Sequence, residues 1–511
     1  MKRRLLASLA ALLLIAAAPL PSLAGKSLHD AIRILGERGL RVVYSDEVVR
    51  PEMRVLEEPT ATEPRVALDQ ILEPHGLEAR KGPADSIVIV RGKQNSSGSL
   101  SGAGSDSVAT APHGVPFDLG EIVVSPSSYS LLGDSLDSGQ TLSKEDVDKS
   151  PHMGDDIFRV VDRMPGMASP DFTAGFFVRG GAEDELQIFI DGLELQSPFH
   201  LAEVLAIFGV VDSEAVGGVD MITGGFPVEY GGRMSGVMDI DLSRPASDAS
   251  FALGTSFVNS RLMTEGAFAN GRGQWLGSLR VGYLDVVMNV IDPDSIYTPR
   301  YSDFVGRLQY QVSSSTQVAL NVLAVRDELD DSDELESIEF SGEDLSVWLN
   351  AKTAWSSRLF SESVLSVGQI DRFRRGGVRG EYAVDDLRDF SFAGARQSWT
   401  WDNSQRNQLR GGFDIRHYEG TYDYSSLATK FPSDLSGPIV TVHDFLIDES
   451  GTATSLWVAD RLQLHPRVIV EGGLRWDRYG WIDEEATLSP RLNVAMQLGA
   501  GTTARASWGQ Y

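Results

Sequence analysis

Few residues in this chain could do covalent chemistry. Cysteine is absent, so neither a disulfide nor a thiolate metal site can form. His152 and His200 stand apart from any Ser/His/Asp grouping and from any metal-ligand spacing. His200 sits in Ser197-Pro198-Phe199-His200-Leu201, a turn context that predicts a packing role over a ligand-facing one. The run Asp327-Glu328-Leu329-Asp330-Asp331-Ser332-Asp333-Glu334 has spacing that could hold a divalent ion. It lacks the glycine and the final ligand of an EF-hand, and reads as a solvated loop. What remains is a set of charges in an apolar, glycine-rich stretch: Arg179, Glu229 and Arg233. Such charges are costly to bury unless paired, so they suit polar links, either within their own domain or to a neighbouring one. No metal, no cofactor and no enzymatic reaction is expected.

Composition narrows the class. The net charge is -27, which disfavours nucleic acid, whose binding runs on Lys and Arg contacts to phosphate. Only 42% of residues are hydrophobic, and no run beyond the extreme N-terminus is long and apolar enough to span a bilayer as a helix. A β-barrel stays possible, because its strands alternate and look half apolar. The first 24 residues form an export leader. Lys2-Arg3-Arg4 is the positive start, Leu5 to Ala18 the apolar stretch, and Ser22-Leu23-Ala24 the cleavage site, so the mature chain is expected to start at Gly25.

Residues 25–92 alternate helix and strand. Leu28, Ala31, Ile32 and Leu35 have helical spacing, then Leu40 to Tyr44 reads as a strand; Val66, Ala67, Ile71 and Leu72 make a second helix, and Ile87 to Val90 a final strand. The stretches "SLHDAIRILGERGLRVVYSDEVV" and "ALDQILEPHGLEARKGPADSIVIV" resemble the secretin/TonB short N-terminal domain. That resemblance implies a periplasmic domain that addresses an anti-sigma regulator. Residues 93–118, rich in Gly, Ser and Ala, are a flexible linker. Residues 119–126 then supply an isolated β-prone patch, Glu121-Ile122-Val123-Val124-Ser125. A strand with nothing local to pair with can join another protein's sheet edge. The patch resembles a TonB box, which implies TonB as partner.

Residues 127–245 are the most informative. Ser143 caps a helix; Ile157, Val160, Val161 and Met164 continue one until Pro165-Gly166. Phe176 to Gly181 is a strand ended by glycines, and Leu186 to Gly192 is a strand running into an Asp191-Gly192 turn. Gly224, Gly225, Gly231, Gly232 and Gly236 permit close backbone approach. The ordered set "FFVRGG", "IFIDGLEL" and "GGFPVEYGGRMSGVMDI" resembles the plug domain of TonB-dependent outer-membrane receptors. By that resemblance the gating or structural residues are Arg179, Gly180, Asp191, Gly192, Glu229, Tyr230, Gly231, Gly232 and Arg233. The arginines and acids would contact the barrel wall.

Residues 246–511 change to strands of roughly ten residues. Leu409, Gly411, Phe413 and Ile415 face one side against Arg410, Asp414 and Arg416. Val468, Val470, Leu474 and Trp476 oppose Glu471, Arg475 and Asp477, and Leu492, Val494, Met496 and Leu498 oppose Arg491, Asn493 and Gln497. Trp275, Tyr283, Trp348, Trp355, Trp399, Trp401, Trp457 and Trp476 suggest interface girdles. Short connections at 313–316, 464–467 and 499–501 alternate with long loops at 326–344, 374–389 and 419–451. About a dozen strands are legible where the family has twenty-two, so the chain is expected to be a fragment, since an open sheet cannot sit in lipid.

Together the resemblance implies a mainly β fold: an incomplete transmembrane antiparallel barrel, an α/β plug and a small α/β periplasmic domain. It implies a receptor in the Gram-negative outer membrane, surrounded by lipid. TonB and its inner-membrane energising complex would drive uptake of a scarce small-molecule ligand such as a ferric siderophore. A receptor that only signals and a secretin-like export channel are the alternatives. A lipase-type barrel is disfavoured, for want of a placed Ser/His pair.

Overall fold

The computed structural model describes parts of residues 23–91 and then residues 139–511, except 151–153, 171–172, 203–205, 233, 292–297, 333–335, 405, 431–438, 483–485 and 500–501. The box residues Glu121, Ile122, Val123, Val124 and Ser125, the linker, His152 and Arg233 lie outside the described residues. The chain divides into two compact units, 1–113 and 114–511.

In the first unit a helix, α1 (Pro64–Leu72), precedes β2 (Leu77–Lys81) and β3 (Ile87–Arg91). β3 lies centrally, parallel to the short β1 (Val42–Val43) and antiparallel to β2. The helically spaced Leu28, Ala31, Ile32 and Leu35 bury against Ala67, Leu68, Ile71 and Leu72 of α1. The apolar periodicity of both segments therefore makes one core. Leu23, which the sequence reading assigns to the leader, is buried in that same core.

The second unit has an inner α/β part inside a large sheet. Ser143 caps α2 (Lys144–Lys149) through a capping box with Asp146, and Asp156 caps α3 (Ile157–Val161). A five-stranded sheet has the order β4 (Gln140–Ser143), β9 (Val216–Ile222), β10 (Gly236–Leu242), β7 (Leu186–Ile190), β8 (Leu193–Glu194). The Asp191-Gly192 turn has φ of 43° and 79°. Two positive φ values in a two-residue hairpin match the twist of the flanking strands, and Asp-Gly tolerates them. Phe158, Val160, Val161, Ile188, Ile190, Val219, Met221, Met238 and Ile240 form the core of this part.

Around it runs a 13-stranded antiparallel sheet in strict chain order, β11 to β23. Its strands are β11 (Ser250–Thr255), β12 (Asn259–Phe268), β13 (Gly273–Gly282), β14 (Arg300–Ser313), β15 (Thr316–Ser332), β16 (Glu336–Ser356), β17 (Leu359–Val378), β18 (Tyr382–Ser404), β19 (Asn407–Lys430), β20 (Ile439–His465), β21 (Val468–Tyr479), β22 (Thr487–Gly499) and β23 (Thr502–Gly509). No pairing joins β11 to β23 among the described residues, so the sheet is open.

Two expectations are corrected here. The segments 326–344, 374–389 and 419–451 are chiefly strand: β15 pairs with β16, β17 with β18 and β19 with β20 almost to their tips. Polar alternation beyond the lipid band disguised them as loops. β20 has 27 residues where about ten were expected. At ~3.3 Å per residue and a tilt near 45°, such a strand rises roughly 60 Å, against an apolar band of about 25 Å. Of the aromatic residues, Trp355, Trp399 and Trp401 are exposed near the short-connection end, as a girdle requires, but Trp348 and Trp457 are buried facing inward.

Candidate functional site

The inner part and the surrounding wall meet along a polar seam, and the wall supplies most of its cations. Because strand side chains alternate, an arginine opposite outward Leu or Val must point inward. Arg280 on β13 is fully buried; its guanidinium donates to the carbonyls of Gly154 (3.2 Å), Asp155 (3.1 Å) and Gly209 and pairs with Asp303 on β14 at 2.8 Å. Arg261 on β12 pairs with three carboxylates of the inner part, Asp155, Asp212 and Glu214, each at 3.4 Å. Arg307 on β14 pairs with Asp191, whose carbonyl accepts from Asn350 on β16 at 2.7 Å.

At His200 the structure overturns the expected packing role. Its ring is buried between two wall carboxylates, Nδ1 to Asp327 at 2.7 Å and Nε2 to Asp303 at 3.1 Å. Asp327 also accepts from the Leu201 N–H at 3.0 Å. Burial lowers the imidazole pKa, but the adjoining Asp327 and Asp303 outweigh it, and the net shift is upward. The residue is a polar fastener, not packing. Its signal in the sequence was absent, because both partners are more than a hundred positions away. Asp327 came instead from the run read as a solvated loop.

On β17, β19, β21 and β22 the seam changes. Arg372 pairs with Asp344 and donates to Ser197 Oγ at 2.8 Å. Arg410 holds Glu229 at 3.5 Å and Glu471 at 2.9 Å. Arg416 pairs with Glu194 and with Asp414 at 2.6 Å. Arg475 donates to the carbonyls of Val228 (3.1 Å) and Glu229 (2.9 Å) and pairs with Asp477 at 2.9 Å. Arg491 donates to the carbonyls of Phe226 (3.1 Å) and Pro227. Gly231 is required here: a Cβ at that position would overlap the Arg475 guanidinium.

Above this half of the seam lies a cavity of about 440 Å³. The inner part contributes Phe189, Glu194, Gln196 and Glu229; the wall contributes Asp414, Arg416, Tyr418, Arg475 and Tyr479, with Trp481 beyond β21. Phe390, Tyr418, Trp481 and Tyr479 form a chain of touching rings, with successive centroids 5.6, 5.6 and 5.5 Å apart. The cavity opens toward the long-connection end, the end expected to face outward.

The family description "TonB-dependent Receptor Plug Domain" matches residues 132–237. The ferric citrate transporter FecA, in its unliganded form, superposes with a TM-score of 0.55 at 15% identity, covering 73% of this chain and 62% of that one. The outer-membrane transporter YddB from Escherichia coli gives 0.55 at 11% identity, over 73% and 60%. The ferripyoverdine receptor of Pseudomonas aeruginosa gives 0.57 at 13% identity, over 96% and 70%. The chain has the fold of a TonB-dependent outer-membrane receptor, with a plug domain. It spans about three fifths of the length of FecA and YddB. No curated protein sequence matches it.

The expected plug residues other than Arg233 lie as follows. Asp191 and Glu229 reach the wall, through Arg307 and Arg410. Gly192 sits against Val364 of β17. Tyr230 donates to Asp239 at 3.1 Å, and Arg396 of β18 lies over its ring. Gly231 and Gly232 line the cavity. Arg179 is exposed on the turn after β6 (Phe177–Val178), and Gly180 continues that turn at φ 77°. Neither has a wall contact among the described residues. The wall arginines, visible in the alternation of β19, β21 and β22, carry the links that the sequence reading gave to plug charges.

Among the described residues no cluster of three or more His, Asp or Glu residues could hold a metal.

Proposed function

We propose that this chain takes up a scarce ligand across the outer membrane by energy-coupled opening of the plug. The supporting observation is the cavity's position directly over the half of the seam in which Arg372, Arg410, Arg416 and Arg475 keep wall carboxylates of their own. A ligand seated against Glu194, Glu229 and Arg416 competes for groups that also hold the plug. It can therefore alter the plug's fastening without any covalent step. TonB pairs with Glu121 to Ser125 and, with its inner-membrane energising complex, pulls the plug. Residues 25–92 address an anti-sigma regulator.

The ligand is of the ferric siderophore kind or similar in size. The cavity's acids, Glu194, Glu229, Asp414 and Glu449, outnumber its two arginines, which already have carboxylate partners. This balance favours a neutral or cationic ligand over a strongly anionic one.

The absence of native cysteine makes the test clean. A Val123→Cys chain should cross-link to a cysteine placed in the TonB C-terminal domain, and Ile122→Pro should abolish this by preventing strand pairing. No cross-link in either chain would remove TonB coupling through this box. Labelled iron accumulation in host cells, with and without a protonophore, tests transport separately. Accumulation unchanged by deleting the chain would remove a ferric ligand while leaving the coupling result standing.

A further inference from the structure

β20 outruns its neighbour. It pairs with β19 along the whole of Ile439–Leu462, but with β21 only from Ala453 onward. Residues 439–451 therefore present an open edge, and among the described residues no strand takes the backbone groups that point that way. An exposed, extended edge of this length is a template for another strand.

The side chains show that this segment is not a lipid-facing one. Along the outward face, Leu464, Leu462, Val458 and Leu456 form the apolar band. Thr454, Thr452, Ser450 and Asp448 follow and are polar. Beyond them apolar residues return: Leu446 is 67% exposed, Val442 62% and Val440 55%. The other face carries exposed Ile439, Phe445 and Ile447, with Tyr422 and Tyr424 of β19 against the Phe445 ring. Apolar side chains on both faces, separated from the lipid band by a polar girdle, call for a protein partner. The segment also carries Asp444, Asp448 and Glu449 with no Lys or Arg between Ile439 and Asp460. None of the three is ion-paired among the described residues.

We infer that the projecting edge of β20, residues 439–451, docks an extended segment of a partner protein in which basic and apolar residues alternate. The partner adds a strand beside β20. Its backbone completes the ladder, its lysines or arginines meet Asp444 and Asp448 on the outward face, and its apolar residues cover Phe445 and Ile447 on the other. Its contacts at 439–448 lie outside the plug cavity, which the segment meets only at Glu449, Ser450 and Gly451.

The probe is a nine-residue peptide of alternating lysine and valine, added to the full chain in detergent and followed by fluorescence anisotropy and amide hydrogen exchange. The peptide should bind and protect amides within 439–451. Methylating alternate peptide nitrogens should weaken binding at least tenfold, since the ladder cannot form. Asp444→Asn with Asp448→Asn should weaken it severalfold and flatten its salt dependence. Equal binding of a lysine–glycine peptide, or of the methylated one, would reduce the effect to charge alone and overturn the docking site. Protection of 439–451 without peptide, rising with protein concentration, would make a second copy the occupant and overturn the basic partner.

Discussion

The two halves of the plug seam hold the same domain by different electrostatics. Against β12 to β15, two of the three wall arginines depend wholly on the plug for carboxylates: Arg261 on Asp155, Asp212 and Glu214, and Arg307 on Asp191. Pulling the plug away there strands bare charges in a buried region, with His200 leaving Asp327 as well. Against β16 to β21, the wall neutralises itself: Arg372 with Asp344, Arg410 with Glu471, Arg416 with Asp414, Arg475 with Asp477. Apart from Arg396, which lies over the plug's Phe189 and Tyr230 rings, the wall arginines here keep carboxylates when plug groups leave, and the cavity admits water to take their places. A buried pair broken from one side costs far more than a contact that water replaces. The comparison assigns anchoring to the first half and release to the second.

The largest effect should come from Arg280. Truncation by Arg280→Ala removes the donors for three plug carbonyls and leaves the buried Asp303 with His200 alone. That should cost about 3–5 kcal/mol. Arg416→Ala, at the cavity, should cost roughly 1–2 kcal/mol, because water reaches Glu194 and Asp414. Thermal unfolding with protease digestion of the plug as readout compares the two. Equal losses would erase the distinction between anchor and release.

His200 offers a pH test of the anchoring half. Its pKa is raised in the folded state, so its contribution is full below the ordinary value of about 6.5 and is lost as pH rises through the folded value. The groups facing it are Asp303 and Asp327, with Arg280 behind Asp303 and the Tyr301 ring 4.5 Å away. The plug of the wild-type chain should become more protease-sensitive as pH rises above neutrality. His200→Gln should lose that dependence. The same pH slope in both chains would show that His200 does not titrate at the seam.

How much of this was legible in the sequence divides along the same line. The plug strands, the Ser143 cap and the Asp191-Gly192 turn were readable because each is set by local backbone preference. The inward row Arg410, Arg416, Arg475 and Arg491 was readable as alternation, but not as a set of fasteners. Arg280 and His200 were not readable, since their partners are brought together only by the sheet curving around the plug. The outer halves of β17 to β20 were missed for another reason. Outside lipid neither face needs an apolar side chain, so the period-2 signal disappears while the hydrogen-bonded ladder continues.

The smallest effect is the most discriminating. Glu229 is a plug acid that the sequence singled out, yet its partner Arg410 keeps Glu471 at 2.9 Å when Glu229, at 3.5 Å, is neutralised. The Glu229 carbonyl, held by Arg475, is untouched by a side-chain change. Glu229→Gln should therefore cost less than about 1 kcal/mol. Glu471→Gln, on the wall, leaves both Arg410 and Arg461 short of a buried carboxylate and should cost roughly 3 kcal/mol. The unfolding midpoints of these two variants decide whether the wall is neutralised by itself or by the plug. If Glu229→Gln proved the more damaging, the cavity half would be an anchor too, and ligand binding there would have to break a charged link rather than exchange one.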